Sequence, residues 1–148
     1  MALVLSGCAS HDLAFVRDDR VEIMRPRDRA DVSLPVRLEW RTRDLTPDSY
    51  FAAFVDRAPI KPGETLAVLA DDVCERTPGC PDLGYLRDRY VFVTDQRWLR
   101  LDTLPQRSSS ARTGARDLHE ATIIVLDADG RRVGESAYTV EFSVRDSR

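Results

Sequence analysis

The stretch from Glu120 to Arg145, EATIIVLDADGRRVGESAYTVEFSVR, limits the possible fold more than any other part of the chain. In its first half Thr122, Ile124 and Leu126 alternate with Ala121, Ile123 and Val125, so both faces are apolar or small. That is the pattern of a strand buried in mid-sheet. In its second half Tyr138, Val140, Phe142 and Val144 alternate with Ala137, Thr139, Glu141, Ser143 and Arg145. One dry and one wet face place this strand nearer a sheet edge. Asp129 and Gly130 tolerate positive φ and predict a tight hairpin turn between the two. Such a hairpin needs a second layer to cover it, which the upstream chain has to supply.

Val21 to Met24 is a short β-like segment stopped by Pro26, and Ser33 to Trp40 points Leu34, Val36, Leu38 and Trp40 inward. Pro35 has no amide hydrogen to donate, so it belongs near that strand's start or faces away from a neighbour. Tyr50 to Asp56, YFAAFVD, is apolar on both faces and reads as a second central strand, with Ala52 and Ala53 small enough to let an opposing sheet approach. The pattern leaves Glu64 to Ala70 as either a short strand or one helical turn. Asp71 to Arg89 is an irregular insertion, after which Tyr90 to Thr94 and Leu99 to Thr103 regain strand character. Gln106 to Arg116, QRSSSARTGAR, is polar and small and predicts a loop.

About seven short strands with turn signals between them are expected to give an all-β fold. The span Val21 to Arg145 resembles a β-sandwich of the immunoglobulin or fibronectin type III kind, carrying one insertion. The inter-sheet cysteine pair of antibody domains is missing, because Cys74 and Cys80 share one loop. With 148 residues, 43% hydrophobic and 32% charged, the chain suits one folded domain. Its net charge of -3 argues against a nucleic-acid partner. No apolar run reaches the roughly 20 residues of a spanning helix.

Near the N-terminus Leu5, Ser6, Gly7 and Cys8 resemble the bacterial lipobox, after which the cysteine becomes N-terminal and acylated. The resemblance implies a lipid-attached Cys8, a bacterial membrane-anchored lipoprotein of the cell envelope, and an extracytoplasmic location. The few residues before the motif are shorter than a signal peptide's apolar segment, so the expectation includes a longer natural leader. The expected organisation is a leader over residues 1–8, a linker over 9–20, the sandwich over 21–145 and a tail over 146–148. Of the three cysteines, Cys74 and Cys80 flank the turn-forming ERTPG. In an exported domain they are expected to form a disulfide. The chain-entropy value for so short a loop is roughly 2.4 kcal/mol. The competing metal reading lacks both the CxxC spacing and a nearby histidine.

No motif signals catalysis, a cofactor or a metal, so the expectation is a protein that is not an enzyme and needs no cofactor. DADG at Asp127 to Gly130 lacks the later ligands of a calcium loop and reads as a turn. His11 falls in the linker. His119 is expected on a strand's solvated face, and Asp71 and Asp72 in solvent. Recognition is expected from loops held by rigid sheets. Leu83, Tyr85 and Leu86 in the insertion offer apolar surface, either for a partner or as the insertion's own small core. Arg107, Arg112 and Arg116 offer three guanidinium groups to phosphates, glycans or an acidic protein. The functional expectation is a lipid-anchored sandwich that binds an envelope protein or glycan through its loops. The alternatives are a carbohydrate-binding module, marked by an exposed aromatic strip near Trp98, and an enzyme with no recognisable site.

Overall fold

A computed structural model of the protein describes residues 18–106 and 118–145. Along these the chain forms β1 (Val21–Arg25), β2 (Ala30–Val32), β3 (Val36–Thr42), β4 (Tyr50–Val55), a 3-10 turn (Leu66–Leu69), α1 (Asp72–Glu75), α2 (Leu83–Asp88), β5 (Val91–Thr94), β6 (Trp98–Leu101), β7 (Leu118–Leu126) and β8 (Tyr138–Val144). The strands make two sheets, ordered β1-β3-β6 and β2-β8-β7-β4-β5, so the described fold is predominantly β and compatible with a sandwich. All named pairs are antiparallel except β2 with β8.

The two-faced apolar strands have two cores to fill. Alternate side chains of β4 and β7, namely Phe51, Ala53, Ile123 and Val125, meet Val36, Leu38, Trp40 and Leu101 of the smaller sheet. The intervening Ala52, Phe54, Ile124 and Leu126 meet Ile60, Leu86 and Val91 in a second cluster. Ala53 therefore faces the opposing sheet as expected, whereas Ala52 faces the insertion. Trp40 fills the inter-sheet core edge-on to Phe51, ring centroids 5.4 Å apart.

Two strand expectations are corrected, and one strand is added. Leu34 is exposed, because the β3 ladder begins at Val36↔Leu101 and no strand lies opposite Leu34. β2 escaped notice, three residues being too few to show a period. The β7–β8 connection is not a two-residue turn. Asp127 Oδ1 accepts from the amides of Asp129 and Arg131, and Gly130 at φ 72° closes that turn. Arg132 then bridges to Leu126, and β8 starts only at Tyr138, opposite Ile123.

The longer connection is tied down by Arg132. Its buried guanidinium donates to the carbonyls of Ile60, Glu135 and Ser136. Gly134 needs to be glycine because its φ is +75°, and the tip of the Arg20 side chain lies close enough, 2.8 Å from where a Cβ would stand, that it would have to shift. Arg20 in turn forks onto both Asp18 carboxylate oxygens, the shortest contact being 2.7 Å.

Candidate functional site

The insertion is a small helical cap. Asp71 caps α1 by accepting from the amides of Val73 and Cys74, and Asp82 caps α2 by accepting from Tyr85. The cap's hydrogen bond from the Cys74 amide is the main reason the Asp71 carboxyl is held below its usual range. Asp71 also pairs with Arg89 at 2.6 Å, so it is engaged rather than merely solvated as expected. Glu64 to Ala70 resolves into a helical turn, and Cys74 and Cys80 form the disulfide.

Of the expected contact residues in this cap, one is free. Leu83 is 59% exposed. Leu86 is 3% exposed and packs in the second core, so it is not available to a partner. Tyr85 is a strut: its hydroxyl accepts from the Asp71 amide and donates to the Leu69 carbonyl, while Arg89 lies over its ring at 3.5 Å. Val68, on the 3-10 turn just before the insertion, and Val73, on α1, join Leu83 as exposed aliphatic side chains. Arg107, Arg112 and Arg116 lie outside the described residues, as does Cys8.

Beside the cap runs a groove of about 770 Å³. Its walls are α2, the β5 edge of one sheet and the β6 edge of the other. Leu83, Arg87 and Asp88 stand on one side, and Gln96, Trp98, Arg100 and Asp102 on the other. Trp98 is 43% exposed, and the Arg37 guanidinium lies 4.8 Å from its ring centre. The other well-exposed aromatic among the described residues, Tyr50, is on β4 in the opposite sheet. The expected planar strip is thus reduced to a single aromatic platform.

His119 corrects another expectation, because it is buried. Its ring stacks on Phe142 at the end of the inter-sheet core, and its Nδ1 lies 2.6 Å from Asp56 Oδ2. Asp56 sits at φ 54°, its amide donating to the Glu120 carbonyl while its other side-chain oxygen accepts from the Glu120 amide. A cavity of about 330 Å³ opens beside the pair. Its described lining, Arg57, Leu118, Glu120 and Glu141 among it, contributes no hydroxyl or thiol that the imidazole could activate. Sequence patterning missed this pair because its members lie 63 positions apart. A polar residue at an inward strand position, followed by Ala121, Ile123 and Val125 on the same face, was the available signal.

Disulfides persist in oxidising compartments, so Cys74–Cys80 points to an extracytoplasmic setting. Among the described residues no helix is long and apolar enough to cross a membrane. No family model matches the sequence, and neither a curated protein nor a solved structure matches it.

Proposed function

We propose that the protein is a lipid-anchored binding or scaffolding module of the bacterial cell envelope, an immunoglobulin-like sandwich that engages its partner through the end bearing the insertion. The lipobox-like LSGC supports the anchor, and the Cys74–Cys80 disulfide supports the compartment. The observation that carries the binding reading is the groove of about 770 Å³ between two sheet edges, flanked by Leu83 and Trp98. Large apolar side chains left in water beside a concave surface are the usual mark of a contact region.

The test is site-specific photo-crosslinking in the source bacterium. A photoreactive residue in place of Leu83 should form an adduct with one envelope component. The same residue in place of Met24, exposed on β1 of the smaller sheet, should not. Equal adducts from both positions, or none from either, would count against the reading.

A further inference from the structure

We infer that the groove between β5 and β6 binds a short, neutral oligosaccharide, with a sugar ring stacked on Trp98 and its hydroxyls held by the polar side chains around it. This rests on the binding-module reading and names the ligand class.

The first observation is the placement of the two tryptophans. Trp40 occupies the core at 2% exposure, whereas Trp98 is 43% exposed although Leu99 and Leu101 already supply the inward face of β6. Trp98 is therefore not needed as packing. It is nevertheless held in place, since Arg37 lies over the ring and Arg37 is itself paired with Glu39 at 3.5 Å. A guanidinium against an indole is attractive and limits the ring's freedom. The result is an indole held at the rim of a groove with part of its ring still open to a ligand. A pyranose ring has a face made of C–H bonds and a rim of hydroxyls. Stacking it on an indole removes apolar surface from water on both partners while leaving the hydroxyls free to be paired.

The second observation is the charge of the lining. Arg87 and Arg100 are matched by Asp88 and Asp102, two positive against two negative groups, so the groove is neutral. A nucleic-acid strand or an anionic lipid headgroup would call for a net positive surface. A neutral polyhydroxyl ligand would not. Planar groups with paired donors or acceptors, such as guanidinium, carboxylate and amide, fit neighbouring hydroxyls two at a time. Some are already oriented: Arg100 Nε donates to Asp102 at 2.7 Å, and the Gln96 side chain donates to Asp95 at 2.9 Å. The volume is within the usual range for small-ligand sites.

The experiment uses the purified full chain and three probes: the linear tetrasaccharides of N-acetylglucosamine, of β-linked glucose and of α-linked glucose. Binding is read by calorimetry up to about 10 mM sugar, with tryptophan fluorescence in parallel. At least one tetrasaccharide should bind and perturb the fluorescence. Trp98→Ala should weaken that binding by about tenfold or more, in line with stacking platforms elsewhere, while Trp98→Tyr should retain part of it. Arg100→Ala should also weaken it. Circular dichroism should show all three variants folded, since both side chains are exposed. No binding by any of the three sugars overturns the inference, and so does binding that Trp98→Ala leaves unchanged. A Val–Thr alternating hexapeptide that binds when the sugars do not would assign the groove to strand addition on the sheet edges, which also overturns it. If the sugars fail while Leu83 still crosslinks to an envelope component, only the ligand class falls. If both fail, the binding-module reading falls with it.

Discussion

His119 and Asp56 show how a single contact can decide a residue's role. Both side chains are 6% exposed and meet at 2.6 Å, so neither can turn to water if its partner is removed. Leaving one member of such a buried hydrogen-bonded pair without the other costs about 1–3 kcal/mol. His119→Ala and Asp56→Ala should each destabilise strongly, and the double variant should cost less than their sum by about 0.5–3 kcal/mol. Denaturant unfolding of the four proteins measures this, and strict additivity would mean that the contact is not made in solution. Asp18 gives a pH signature at the same scale. The forked hydrogen bond from Arg20 holds its carboxyl far below the usual carboxylate range. A lowered folded value adds stability that is complete above the ordinary value of about 4 and is lost as pH falls through the folded one. The melting difference between the natural chain and Asp18→Asn should therefore be largest above about pH 5 and shrink in stronger acid. A difference that grows on acidification would contradict the assignment.

At the scale of elements, legibility followed periodicity. β8 was readable because its in-and-out pattern repeats several times, and β4 and β7 because both of their faces are apolar, and each lies where that reading implies. β2 was not readable, since its place depends on pairing with β8 more than a hundred residues away. The helices of the insertion are too short for a helical period, and their signs were the capping residues Asp71 and Asp82 rather than any apolar stripe. The sequence alone implies that a loop with its own disulfide could be excised. Leu86 argues otherwise, because it closes the second core over Phe54, Ile124 and Leu126. Leu86→Ala should cost about 2–5 kcal/mol, whereas Leu83→Ala should stay within about 0.5 kcal/mol. Replacing Asp71 to Arg89 by a Gly-Ser turn should unfold the domain. A stable, cooperatively melting deletion would show the insertion to be an appendage.

For the whole molecule, the proposed function needs an anchor, a folded β domain and a groove at one end. The anchor is tested by Cys8→Ser, which should release the chain from membranes when expressed with its natural leader, and by mass spectrometry of the mature N-terminus. An unmodified Cys8 would remove that element. The site was only partly legible. Leu83 stood out in the sequence as a contact residue and is exposed, but the groove beside it is built from α2, β5 and β6, whose adjacency comes from the order of strands in two sheets. Trp98 was visible as an aromatic, whereas its pairing with Arg37 depends on the β3–β6 register.

Whether the proposed groove binds an envelope component is read by co-sedimentation of the Cys8→Ser chain with isolated bacterial envelopes. The chain should sediment, and combining Leu83→Asp with Trp98→Ala should abolish sedimentation while leaving the melting temperature unchanged. Sedimentation that survives the double substitution, or that never occurs with the unsubstituted groove, would contradict the account.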